Sequence, residues 1–175
     1  MKVLKVIAII FGCLLGLLVL LGITIETGAK LGYLPSTETL QRSDIPDRYK
    51  EILVEANIID EKDIVYGFYS FGLLSIMEDG NLYTDKAVIS YETLEDELFV
   101  YSARFEEIDE LIFEPSDDFW VNSEIYVITK AGDEFLLVLD NFDDKDVEFY
   151  QGLEKRWQAS KSAEVQLLES QSSEK

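Results

Sequence analysis

The chain opens on an unbroken apolar run, Val6 to Ile25 (VIAIIFGCLLGLLVLLGITI), preceded by Lys2 and Lys5. At about 1.5 Å per residue such a run spans about 30 Å, the thickness of a bilayer's hydrocarbon core, and a helix satisfies its own backbone there. It predicts an uncleaved transmembrane helix over residues 1–25, with Val6, Ile10, Leu14, Leu18, Leu21 and Ile25 in the span. A cleaved signal peptide has a shorter apolar stretch, about 7–15 residues, followed by a small-x-small site. Here Thr27-Gly28-Ala29 follows directly on Glu26, and Cys13 lies mid-run, not after it as a lipoprotein cysteine would. The basic N-terminal flank faces only Lys30 on the other side, which predicts a single-pass cell-membrane protein with residues 26–175 outside the cytoplasm. Gly12-x-x-x-Gly16 is a candidate for weak self-association of two such helices.

Beyond the span the period changes. Residues 26–45 hold Gly28, Gly32 and Pro35 without periodicity and predict a tether. Tyr49, Ile52, Leu53 and Ala56 recur at helical spacing and predict a short helix over 46–58, with Ser43 and Asp44 as candidate caps before Pro46. Seven strand-like segments follow: 64–71, 73–77, 82–92, 97–103, 109–114, 124–130 and 134–140, rich in β-branched and aromatic residues. Glu78-Asp79-Gly80-Asn81 and Ala131-Gly132-Asp133 are the turn signals between them. Val147, Tyr150, Leu153 and Trp157 then mark the apolar stripe of a final helix, with Asp143 and Asp144 at its start. Residues 161–175 are polar and predict a disordered tail. The expected fold is α+β and mostly β: a seven-stranded antiparallel open barrel over residues 59–160, capped by an amphipathic helix with Trp157 as the plug.

Composition narrows the chemistry. The 175 residues carry 15 Lys+Arg against 35 Asp+Glu, no histidine and one cysteine. Leaving out Lys2 and Lys5, the segment after the anchor has a net charge of −22. Missing histidines exclude Ser-His-Asp and Cys-His nucleophile systems, and a single cysteine excludes multi-cysteine zinc sites. The charge argues against nucleic acid, whose phosphates it would repel.

Asp79-Gly80-Asn81-Leu82-Tyr83-Thr84-Asp85-Lys86-Ala87-Val88-Ile89-Ser90-Tyr91 is similar to the third-strand segment of bacterial pleckstrin-homology-like and GRAM-like domains. Over about residues 60–158 the order of strands and terminal helix resembles that family. The resemblance implies a binding scaffold and not an enzyme. It does not carry over phosphoinositide recognition, because Phe68-Tyr69-Ser70-Phe71-Gly72-Leu73 has no basic residue, Lys86 stands alone, and a polyphosphate headgroup needs several donors.

Other constellations are weaker. Asp140 to Asp146 has the look of a calcium loop, but Phe142 occupies a ligand position and Lys145 stands where the glycine belongs. Glu95-Asp96-Glu97 and Glu106-Glu107-x-Asp109-Glu110 read as solvated acidic faces. Asp117, Asp118, Phe119 and Trp120 form a candidate partner contact, set against a plainer reading in which Trp120 closes the barrel. The function expected is a non-enzymatic, membrane-anchored module that binds a protein partner and needs no cofactor or metal. The alternatives are an acidic immunity or inhibitor protein neutralising a basic toxin or enzyme, which a single concave acidic patch would favour, and a carboxylate-based hydrolase.

Overall fold

The computed structural model describes residues 2–36, 38–118 and 120–172, and their side chains except at 2–9, 165 and 167–172. Helix α1 (Lys2–Lys30) contains the apolar run and is long and apolar enough to cross a membrane. Such a helix near an N-terminus fits an anchor or a signal sequence alike. Ile10, Leu14, Leu18, Leu21 and Ile25 are 51–57% exposed, so the domain does not bury this run. Val6 lies in α1, but its side chain is outside the described set. Gly12 and Gly16 have nothing within 4 Å of an added Cβ, leaving room for a second helix.

The segment expected as a tether carries structure. Residues 26–30 continue α1, aided by the Glu26–Lys30 ion pair at 2.7 Å. Gly32, at φ 72°, then turns the chain while the Gly32 and Tyr33 amides donate to Ala29 and Gly28 carbonyls, a helix stop that glycine permits without strain. Leu40–Gln41 form β1. The Tyr49 hydroxyl of α2 (Asp47–Glu55) donates to the Leu34 carbonyl at 2.6 Å and pins the helix exit to the domain. Pro46 occupies the N-cap of α2 with no side-chain cap, so Ser43 and Asp44 do not cap it.

Eight strands, among the described residues, make two antiparallel sheets. The first has the order β1, β2 (Gly67–Tyr69), β3 (Asp79–Tyr83), β4 (Ala87–Leu94), β5 (Glu97–Arg104). The second has the order β6 (Ile108–Glu114), β7 (Ser123–Thr129), β8 (Glu134–Leu139). Among the described residues no ladder joins the sheets, so they do not close into a barrel.

Two expectations fail at one place. Residues 73–77 are not a strand, and Asp79-Gly80-Asn81 is not a turn but the start of β3. Glu78 draws the loop together by accepting the Leu73, Leu74 and Ser75 amides, which removes them from any ladder. The turn lies instead at 84–86, where the Thr84 hydroxyl accepts the Lys86 and Ala87 amides at 3.0 and 3.1 Å. Gly80 is needed because Tyr91, its cross-strand partner, lies over it: an added Cβ would come 2.3 Å from the Tyr91 hydroxyl oxygen.

Helix α3 (Lys145–Ser172) begins after a 3₁₀ turn, Phe142–Asp144. Asp143 and Asp144 have φ of 60° and 58°, so they form the bend before the helix and do not cap it. The buried stripe is Phe149, Leu153 and Trp157, with Tyr150 stacked on Phe113 at 4.6 Å; Val147 is only partly buried. Trp157 Nε1 donates to the Ile108 carbonyl at 3.2 Å. The expected tail is helical as far as Ser172, as its Ala, Glu, Gln and Leu content favours, and 173–175 lie outside the described residues.

Strands β2 to β4 of the first sheet pack on both faces. Tyr69, Tyr83, Val88 and Ala103 pack with the second sheet and α3. Phe68, Leu82, Ile89 and Tyr91 pack with Tyr49 and Leu53 of α2.

Candidate functional site

Register explains a groove between the sheets. On the inner face of the first sheet, Tyr83, Val88 and Ala103 form one cross-strand row, all buried in the core. The next row on that face is Asn81, Ser90 and Tyr101; the one beyond is Asp79, Glu92 and Phe99. Inward-facing positions therefore turn from apolar to polar to acidic along the strands, and the sheets cannot close on such a surface. A groove of about 490 Å³ results, lined from the first sheet by Asp79, Asn81, Ser90, Glu92 and Tyr101 and from β8 by Glu134, Phe135, Leu136 and Val138.

Its floor is fixed by hydrogen bonds. Asn81, 6% exposed, donates through Nδ2 to the Val138 carbonyl at 2.9 Å and accepts the Ser90 hydroxyl at 2.9 Å. That bond ties β3 to β8 across the gap between sheets. The Asp79 carboxylate accepts the Phe71 amide at 2.6 Å and the Ser70 hydroxyl. Nearby, burial pushes the Tyr69 phenol above its ordinary range, with the Asp140 and Asp79 charges adding to the effect. Among the described residues three carboxylates, Asp79, Glu92 and Glu134, line the groove, and no Lys or Arg does.

Beside the groove, β5 is the last strand of its sheet. Phe99, Val100 and Tyr101 are 38, 44 and 46% exposed. The loop 71–78 adds an ordered apolar tip. Leu73 and Leu74 are 84 and 77% exposed, while their amides are held by Glu78, whose carboxyl those amides keep below the usual carboxylate range.

The residues expected from sequence as a partner contact lie elsewhere. Trp120 is 87% exposed, so it does not close the fold, and Asp118 Oδ1 accepts its amide at 3.0 Å. Asn141 Nδ2 donates to the Ser116, Asp118 and Val121 carbonyls and sets this loop beside Phe142, itself 50% exposed. Asp117 is exposed in the same loop, and Phe119 lies outside the described residues. In the calcium-like segment, Asp140 accepts the Phe142 and Thr39 amides while Asp146 is buried against Ser123, so these carboxylates are engaged separately. Glu95 and Asp96 form the β4–β5 loop, and Glu107 pairs with Arg104 at 2.8 Å.

A second hollow, about 490 Å³, gathers Lys86, Arg104 and Arg156. Each already has an internal partner: Lys86 pairs with Asp63, Arg104 with Glu107, and Arg156 sits 3.1 Å over the Tyr66 ring. A polyanion would have to displace all three contacts.

No family model matches the chain, and no curated protein matches it. Among solved structures it is similar to a DUF1696 family protein with a pleckstrin-homology domain from Shewanella loihica PV-4, at 15% identity over 70% of this chain and 94% of that one, TM-score 0.46. It is similar also to a pleckstrin homology domain from Shewanella amazonensis SB2B, at 17% identity over 61% and 95%, TM-score 0.42. A third is the C-terminal domain of an unknown protein from Leishmania infantum, at 19% identity over 63% and 95%, TM-score 0.36.

Proposed function

We propose that this chain is a non-enzymatic, membrane-anchored module of the pleckstrin-homology type whose domain binds another protein. The anchor is α1, oriented by Lys2 and Lys5 so that the domain stands outside the cytoplasm. Pairing of two α1 helices at Gly12 and Gly16 belongs to the same reading, as does a second contact at Asp117, Asp118 and Trp120. The observation that carries the proposal is the groove: an ordered concavity with an aromatic and acidic lining, next to a strand that has, among the described residues, no neighbour on its outer side. The Ser90 hydroxyl in the groove donates to the Asn81 amide oxygen, which is not a base, and an engaged hydroxyl of this kind supports recognition over chemistry.

A photo-crosslinking residue at Tyr101, in the full chain in native membranes, tests this. A discrete adduct from position 101, absent from a control position at Glu55 on α2, is expected. No adduct above background from position 101 or from Trp120 would contradict the reading.

The acidic-antagonist alternative has one observation in its favour. Asp79, Glu92 and Glu134 share one concavity with no Lys or Arg among the described residues that line it, which is the arrangement a basic toxin or enzyme would meet. Protection of cells from a basic toxin by the chain, lost with Glu92→Gln and Glu134→Gln together, would select this reading over the general one.

A further inference from the structure

The groove and the free edge of β5 occur side by side, and their registers fit one kind of ligand. The β4–β5 hairpin closes on Leu94 opposite Glu97, around Glu95 and Asp96 with φ of 51° and 67°. A closing pair of this two-residue loop exchanges both backbone hydrogen bonds, and such pairs then alternate along the ladder. Glu97, Phe99, Tyr101 and Ala103 therefore bond to β4, whereas the amides and carbonyls of Leu98, Val100 and Ser102 point outward. Among the described residues no backbone hydrogen bond takes up those outward groups. Arg104 closes this edge by donating its amide to Glu107.

We infer that β5 takes an extended basic segment of a protein partner as a sixth strand, with cationic side chains turned into the acidic groove. This rests on the reading of the domain as a protein-binding module. An added strand makes main-chain bonds to the outward groups and alternates its side chains between the two faces. On the inner face they meet Phe99 and Tyr101, with Glu92 behind and Glu134 across the groove. On the outer face they meet Leu98 and Val100. Alternating Arg or Lys with Val or Ile matches both faces. A cation in the groove meets carboxylates and aromatic rings, both of which attract it. The domain's −22 charge speeds the approach of such a segment and disfavours an acidic one. A second copy of this chain suits the edge less well, because it would bring its own Glu92 and Glu97 against the same carboxylates.

The test uses the full chain in phosphatidylcholine nanodiscs and a fluorescent capped hexapeptide, Arg-Val-Arg-Val-Arg-Val. Saturable binding above that to empty nanodiscs is expected, about tenfold weaker for the Gln-Val counterpart and about tenfold weaker when alternate peptide amides are N-methylated. Glu92→Gln with Glu134→Gln weakens it about tenfold without touching the backbone. Val100→Pro weakens it similarly; the Val100 amide faces outward, so proline there leaves the β4 ladder intact. Near-ultraviolet circular dichroism checks that each variant is folded.

The inference is overturned if the wild-type chain does not bind the peptide. It is overturned too if N-methylation and Val100→Pro leave affinity unchanged, since that is charge attraction alone. A wild-type dimer that Val100→Pro converts to monomer, with the peptide excluded, would assign the edge to self-association and equally overturn it. A cross-link at Tyr101 that survives Val100→Pro would leave the protein-binding module standing and remove only strand addition.

Discussion

The Ser123 hydroxyl donates to the Asp146 carboxylate at 2.5 Å, and the two residues are 0 and 3% exposed. The same oxygen accepts the Ser116 amide at 2.9 Å, so one hydroxyl joins the 115–122 loop, the start of β7 and the first turn of α3. Removing it strands a buried charge. Ser123→Ala is expected to lower stability by about 2–3 kcal/mol, and Asp146→Asn, which still accepts the bond, by about 1 kcal/mol. Urea midpoints of the full chain in detergent measure both, and equal losses would contradict this account of the contact.

Gly80 sits beneath the Tyr91 ring, whose hydroxyl donates to the Ile76 carbonyl at 2.7 Å. Gly80→Ala forces the ring off its site and breaks that bond, at a cost of about 2–3 kcal/mol. Gly80→Ala in a Tyr91→Ala background should cost much less. Non-additivity in thermal melts is the readout.

Glu95 and Asp96 hold positive φ in a loop that favours Asn-Gly. Glu95→Asn with Asp96→Gly is expected to raise stability by about 1 kcal/mol, and the thermal midpoint with it. Leu94 opposite Glu97 remains the closing pair, visible as an unchanged cross-strand nuclear Overhauser pattern.

Burial pushes the Tyr83 phenol up to about 12 from an ordinary value of 10. The folded chain then holds its proton between those values while the unfolded chain loses it. This contribution is present in full below pH 10 and is lost as pH rises to about 12. Tyr69 and Tyr91, raised mainly by burial, act in the same sense. Stability by urea titration should fall steeply above pH 10, and less steeply in Tyr83→Phe. The Glu78 carboxyl has the opposite sign: lowered by the Leu73 and Leu74 amides, it holds the 73–75 loop above its ordinary value of 4.5 and releases it as pH falls below. Amide exchange at Leu73 and Leu74, corrected for intrinsic pH dependence, should accelerate there.

The sequence shows the broad outline because its signals are large. The long apolar run dictates a helix by its length and composition, while the β-branched clusters ending near Leu139 and the aromatic stripe ending at Trp157 reflect burial that tertiary context does not reverse. The groove stayed hidden for a local reason. Asp79-Gly80-Asn81 has turn chemistry, yet its glycine serves a tyrosine across the ladder and its Asn bridges two sheets. Reading a turn there shifts β3 and breaks the alternation Asp79, Asn81, Tyr83 that faces Glu92, Ser90 and Val88. Those paired polar positions were the available signal. Trp120 misled in another way: a large aromatic is usually buried, and the Asn141 bonds that hold its loop outward link residues too distant in sequence to be anticipated.

The central claim is that a bilayer holds this domain through α1, and alkaline carbonate extraction of membranes from cells making the full chain tests it most directly. We predict that the intact polypeptide, Met1 included, stays with the sedimented lipid fraction. Its release into the wash, or an N-terminus mapped downstream of Ile25, would contradict the account.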